Sequence, residues 1–185
     1  MAEERTIAGL GTGIGVEDGK QVFLSFYLGD ETFAISVAHI KEIVELESLT
    51  HMPMLPDFVR GAIDLRGVAV PVLDLPLRLG GAAAKETGRT CVVIVELATD
   101  ESKMDVGLMV DAVSKVMEFD IADVQNPPSV GGQINVEFIE GMGKIGEGQF
   151  MIILDVDRIL SLSDLDRLKE VAELRPDDEA VRSDG

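Results

Sequence analysis

The sequence predicts a mainly β fold made of two small lobes of one design, with short helices between strands and a helix at the C-terminal end. Three observations lead there. Short apolar or alternating runs follow one another, punctuated by Gly and Pro turns. Aromatic residues make up only 4% of the chain and Trp is absent, so Val, Ile, Leu, Met and Ala must build the core. The second half also repeats the apolar spacing of the first. Closed or nearly closed β-barrels suit this pattern, because closure hides the strand edges that invite aggregation.

The elements follow in order. Residues 1–19 read as a flexible leader, since Gly9, Gly11, Gly13, Gly15 and Gly19 give it no fixed shape. Val22 to Leu28 is a strand, Gly29-Asp30-Glu31 a hairpin turn, and Thr32 to Val37 the return strand. A helical turn over Ala38 to Ile40 leads into an extended piece, Glu42 to Leu46. Phe58 to Ile63 and Val68 to Val72 are further strands, joined through Leu65-Arg66-Gly67. A short helix over Leu75 to Leu79 opens a Gly/Ala-rich connector that runs to Gly88.

Cys91 to Leu97 then begins the plan again, with a turn at Thr99 to Lys103 and a return over Met104 to Val110. Phe33 aligns with Val106, Val37 with Val110, Ile40 with Val113, Ile43 with Val116 and Leu46 with Phe119. Later, at a slightly longer spacing, Gly61 falls near Gly141 and Pro71 to Leu75 near Ile152 to Val156. Leu165, Leu168, Val171 and Ala172 have helical spacing behind a Ser163 cap, and Pro176 ends that helix. The expected organisation is a leader (1–19), a two-lobed domain (20–162), and a C-terminal helix with an acidic disordered tail (163–185).

Charge narrows the function. The net charge is −18 and the pI near 4.3. Phosphate-backbone binding needs Lys and Arg, so nucleic acid is an unexpected partner, as is an anionic membrane surface. Acidity of this size keeps an abundant protein from self-association. Cys91 is the only cysteine, which excludes an intramolecular disulfide; in an apolar strand it reads as a small core residue. The start, MAEERTIAGLGTG, lacks the apolar run of a signal peptide. No apolar run reaches the roughly 20 residues of a membrane helix. A reducing cytoplasm is the expected compartment, with no direct membrane insertion.

Motifs for chemistry are weak. Gly9-Leu10-Gly11-Thr12-Gly13 lacks the third glycine and the preceding strand of a dinucleotide loop, and Gly143-Lys144 lacks the rest of a phosphate loop. His39 and His51, the only histidines, belong to no zinc-binding pattern. Neither a metal nor a cofactor is expected. Asp74 and Asp155 occupy matching places in the two halves; they are read as strand-end caps rather than a carboxylate pair. Glu42, Glu45 and Glu47 alternate with Ile43, Val44 and Leu46, as a solvated strand face or an acidic rim would. Met52, Met54, Met104, Met109, Met117, Met142 and Met151 read as core fillers, with those near Pro53 able to add adaptability to a contact.

The most informative stretch is Phe58 to Leu75. A guanidinium beside a glycine at a strand turn, Arg66-Gly67, is suited to holding a carboxylate or carbonyl. With no catalytic set nearby, it points to recognition. Taken with Ile40-Lys41-Glu42-Ile43, Pro53 to Pro56, Gly61, Pro71 to Leu75, Gly107 to Val113 and Phe138 to Gly143, it resembles the CheW family of chemotaxis adaptors over Gln21 to Ser161.

The resemblance implies two SH3-like five-stranded β-barrel lobes packed together, no enzymatic activity and no cofactor. It implies a coupling protein between the regulatory domain of the CheA histidine kinase and the cytoplasmic tips of chemoreceptors, recruited to the inner face of the membrane through receptor arrays. A receptor helix would lie in a groove between the lobes. By position, Ile40, Glu42, Ile43, Leu65, Arg66 and Val113 face the receptor. Ile40, Ile43 and Val113 would supply apolar contact and Arg66 the orienting hydrogen bonds. Gly61 and Gly67 are structural turn positions, and Leu55, Phe58 and Val130 are kinase-binding candidates. Asp64 departs from the family's usual Asn and is placed to compete for Arg66. The alternatives are a coupling module of another chemosensory or CheV-type system, for which a receiver domain would need about a hundred further residues, and a small enzyme with an unrecognised site.

Overall fold

The structure, a computed structural model, describes residues 19–98, 102–127 and 136–173. The Gly9–Gly13 motif, most of the leader, residues 99–101 of the expected turn, Val130 and the tail after Glu173 lie outside the described residues. Eleven strands are described: β1 (Lys20–Leu28), β2 (Glu31–Ser36), β3 (Ile40–Glu45), β4 (Val59–Leu65), β5 (Val68–Asp74), β6 (Cys91–Ala98), β7 (Lys103–Val110), β8 (Ala112–Asp120), β9 (Val124–Gln125), β10 (Ile139–Gly146) and β11 (Gln149–Leu154). Helices α1 (Leu75–Arg78) and α2 (Val156–Ile159) follow β5 and β11, and α3 (Leu162–Glu173) comes last.

The strands form two sheets, β3-β6-β7-β5-β4 and β8-β1-β2-β11-β10-β9. One lobe therefore carries a sixth strand, the two-residue β9, where five were expected. The repeat is visible in the register. Phe26 faces Phe33 as Val95 faces Val106. In the parallel pairs, Val72 lies beside Gly107 as Ile153 lies beside Ala34. Gly61 faces Val72 as Gly141 faces Ile153.

The lobes are not the two halves in sequence, however. β6 and β7 of the second half complete the sheet of β3, β4 and β5, while β1 and β2 complete the sheet of β8 to β11. Each half lends a hairpin to the other.

Strand alternation sorts side chains among three cores. In β6, Val92 and Ile94 point into a cluster confined to the five-stranded sheet, with Ile63, Val70, Val72 and Met109. Val93 and Val95, between them, point into the large cluster between the sheets, where they join Leu24, Phe26, Phe33, Ile35, Leu73, Leu154 and Leu165. In β11, Met151 and Ile153 enter the interior of the six-stranded sheet beside Phe23, Ala34 and Phe119. Burial on both faces explains why these strands read as continuous apolar runs.

Each sheet is drawn towards closure by the same device. Thr50, beyond β3, bridges Ala62 of β4 through two backbone hydrogen bonds of 2.8 and 2.9 Å. β9, beyond β8, pairs Gln125 with Met142 of β10. Gly61 makes the first closure possible. It sits at a register shift inside β4, with φ 147, and a Cβ there would overlap the Thr50 carbonyl oxygen. Gly61 is thus a bulge residue rather than a turn residue. Gly141 is its counterpart, crowded by Val124 and by the Gln125 carbonyl. Gly67 does occupy a turn, with φ 83.

Asp74 and Asp155 are both caps. The Asp74 carboxylate accepts from the Leu77 N–H at the start of α1, and Asp155 from the Asp157 N–H at the start of α2. Asp74 is fully buried and also accepts from Arg60 Nε (2.9 Å) and the Ala84 N–H (3.0 Å), which pins the connector. Ser161, not Ser163, caps α3. Its hydroxyl accepts from the Asp164 N–H while Asp164 accepts from the Ser161 N–H, a reciprocal box that places the helix start two residues earlier than the periodicity did.

Candidate functional site

Recognition geometry begins at the β4–β5 hairpin. Leu65 pairs with Val68, leaving Arg66 and Gly67 as a two-residue loop with φ 53 and 83. Positive φ at both centres is the requirement of a type I′ turn, where Asn or Gly is usual and Arg costs about 1 kcal/mol or more. Asp64 is a turn residue: its Oδ1 accepts the Gly67 N–H at 2.7 Å. It therefore does not compete for the Arg66 guanidinium as expected, because Arg66 has left the strand.

Arg66 instead crosses to β3 and makes a two-pronged pair with Glu42, Nη1 to Oε1 at 2.8 Å and Nη2 to Oε2 at 2.6 Å. The Arg66 side chain is 75% exposed and that of Glu42 only 14%. The Glu42 hydrogen bond and charge push the guanidinium pKa upward. The result is a planar cation held in one orientation on an exposed hairpin tip, flanked by half-buried Leu65 and by Val68, which is 54% exposed.

β3 and β8 are edge strands of different sheets, and they meet at Cys91. Glu45 of β3 lies opposite Cys91, whose thiol donates to the Arg89 carbonyl at 3.3 Å, and the nearby Val113 backbone of β8 favours the thiolate against the effect of burial. Ile43, Cys91 and Val113 are all half-buried against the inter-sheet core. They form an apolar seam between the lobes. Burial pushes the Cys91 thiol pKa up. Cys91 was read as an interior residue; its place on this seam follows from the end of β6, which the sequence pattern did not locate relative to β8.

The remaining expected site residues divide. Ile40 is 3% exposed and belongs to the inter-sheet core, so its side chain supplies support beneath Ile43 rather than surface. This corrects its expected apolar contact: the register shift between Ile40 and Glu42 turns Ile40 inward. Leu55 and Phe58 are half-buried against the same core, away from the Arg66 hairpin in sequence and joined to β4 by a Val59 N–H to Pro56 carbonyl bond. Met54, read as a core filler, is 98% exposed with φ 65, whereas Met104, Met109 and Met151 are buried. Among the described residues no group of three His, Cys, Asp or Glu side chains is arranged to hold a metal. No helix among them is long and apolar enough to cross a membrane.

The model of the CheW-like domain matches residues 22–164. The chain belongs to the CheW-like family. Its relatives include the chemotaxis protein CheW of Klebsiella aerogenes, 29% identical over 90% of this chain and 98% of that protein. CheW of Rhizobium meliloti is 31% identical over 77% of this chain and 88% of its own length. The crystal structure of the scaffolding protein TtCheW from Thermoanaerobacter tengcongensis is similar with a TM-score of 0.69 and 29% identity, covering 78% of this chain and 90% of that one. As a CheW-like chain it is a chemotaxis coupling adaptor, and the two-sheet architecture is that of the family. The CheW-like family is one of scaffolds and adaptors rather than of catalysts.

Proposed function

We propose that this chain couples the cytoplasmic tips of chemoreceptors to the regulatory domain of a CheA histidine kinase, in the cytoplasm and without catalysing a reaction. The observation that carries the receptor side is the orientation of Arg66 by Glu42 next to the Ile43–Cys91–Val113 seam. An apolar helix face fits such a seam, and a polar group on the same helix meets an oriented cation at its edge. Glu42, Ile43, Leu65, Arg66 and Val113 are its contacts, with Ile40 as support. Gly61 and Gly67 hold the backbone that presents them. Leu55 and Phe58, on the segment before β4, together with Val130 are the kinase-side contacts.

Titration of the labelled full chain with a receptor tip fragment and, separately, with the kinase regulatory domain tests this reading. Shifts around Ile43, Arg66 and Val113 in the first titration and around Leu55 and Phe58 in the second are expected. Saturation by neither partner sinks the proposal. A second reading rests on CheV3 of Helicobacter pylori, 29% identical over 83% of this chain but over only 48% of that protein. There the matching region is about half of a longer chemotaxis protein, and intact-mass measurement on the native protein separates the two.

A further inference from the structure

Arg78, at the end of α1, lies where the two repeats and the C-terminal helix come together. Its guanidinium carbon sits 4.6 Å from the ring centre of Phe58 and 5.0 Å from that of Phe138. These phenylalanines are counterparts in the repeat. Each immediately precedes the first residue of β4 or β10, and each carbonyl accepts from the capping aspartate of the following short helix, Asp74 at 2.7 Å and Asp155 at 2.9 Å.

The counterpart of Arg78 itself is Ile159, and Arg78 Nε donates to the Ile159 carbonyl at 2.6 Å. One charge therefore occupies the pseudo-symmetry axis, where the other repeat supplies an apolar side chain that is 1% exposed. Arg78 Nη2 also reaches Asp164 Oδ2 at 3.4 Å, and Asp164 completes the capping box of α3 with Ser161. From α3, Leu165 and Leu168 enter the inter-sheet core that Phe58 and Phe138 border.

The geometry points to Arg78 as a conformational joint that makes docking of α3 and packing of the two repeats a single cooperative event. A guanidinium stacked between two rings is held by both, and cation–π attraction strengthens as the site dries. Release of α3 removes Asp164, the only carboxylate on the guanidinium among the described residues, and leaves Arg78 with the Ile159 carbonyl of α2 alone. That leaves Arg78 a half-buried cation with part of its hydrogen bonding unmet, a state that favours its withdrawal from between the rings. The segments in front of β4 and β10 then loosen in concert. Since Phe58 ends the Leu55–Phe58 segment, the state of the C-terminal helix is transmitted to that surface.

Hydrogen exchange of the full chain tests the joint with two variants. Asp164→Asn weakens the hold on α3 while keeping Arg78, and Arg78→Met keeps the bulk of the side chain but removes its charge and donors. Asp164→Asn is expected to speed exchange in α3 and, by the same factor of roughly tenfold, in the peptides covering 56–60 and 136–140. Arg78→Met is expected to speed the 56–60 and 136–140 peptides together. Faster exchange confined to α3 in Asp164→Asn, or no change in any of these peptides, overturns the proposal. Should Arg78→Met fail to fold, Asp164→Asn alone decides.

Discussion

Arg66 has two separable properties, a strained backbone and an oriented charge, and they pull in opposite directions. Its φ of 53 disfavours any residue with a Cβ except Asn or Asp, while its pair with Glu42 is solvent-screened on the Arg66 side and adds little to stability. Arg66→Asn should therefore leave the chain as stable or up to about 1 kcal/mol more stable, since Asn-Gly is the preferred type I′ pair. The same variant should lose receptor-tip binding. Unchanged affinity beside an unchanged melting curve would remove Arg66 from the site. Glu42→Gln keeps the shape but unlocks the guanidinium, so it should weaken binding less than Arg66→Asn does.

Cys91 gives a second handle. Burial raises its thiol pKa, so the native state holds the proton more tightly than the unfolded chain. Stability is then full below the ordinary thiol range and falls as pH rises from that range through the raised native value. Iodoacetamide labelling of the native chain should accelerate only above the pH at which a free thiol reacts, and a bound receptor helix should suppress it. A pH profile equal to that of a small free thiol would contradict the half-buried seam.

At the level of elements, Gly61 and Ser161 carry different burdens. Gly61→Ala places a methyl against the Thr50 carbonyl in a backbone region that side chains avoid. A loss of about 3 kcal/mol or more is expected in urea melts, because the closing Thr50–Ala62 bridge must open or β4 must shift. Gly67→Ala, with open space around it, should cost only about 1 kcal/mol. Ser161→Ala removes one side of the α3 box and should cost about 1 kcal/mol, read as loss of helix signal before the sheets melt.

These elements also mark where sequence reading succeeds. The hairpins, the 3-10 turn at Val37–His39, and helix α1 were legible because alternation, Gly turns and an Asp cap are local signals. The longer repeat spacing after Gly61 was legible because apolar patterns survive loop changes. The inward turn of Ile40, the bulge at Gly61, β9 and the Arg66–Glu42 pair were not. Each depends on a strand partner distant in sequence, and period-2 patterns do not say which strand that partner is. The Ser161 cap was missed for a smaller reason: Ser161 and Ser163 are both capping residues, and only the bond to Asp164 chooses between them.

At the scale of the molecule, the exchange of hairpins between repeats means that neither half owns a complete sheet. A chain cut in the Gly/Ala-rich connector should yield two fragments that stay unfolded apart and regain β-type circular dichroism when mixed. Independent folding of either fragment would show that the inter-half pairings, β1–β8, β2–β11, β3–β6 and β5–β7, are dispensable. The acidic balance of −18 sets no single site, but it predicts that added salt will raise the melting temperature modestly by screening self-repulsion. The same exchange of hairpins bears on synthesis at the ribosome. Ser25 of β1 must wait for Lys115 of β8, 90 residues later, to fill the irregularity in their shared ladder. At about 5–20 residues per second, that is about 5–20 s during which β1 and β2 emerge with apolar faces and only each other to pair with. The nascent chain thus passes through an obligatory window of exposure, and an engineered pause placed between β2 and β8 should raise its dependence on chaperones more than a pause after α2.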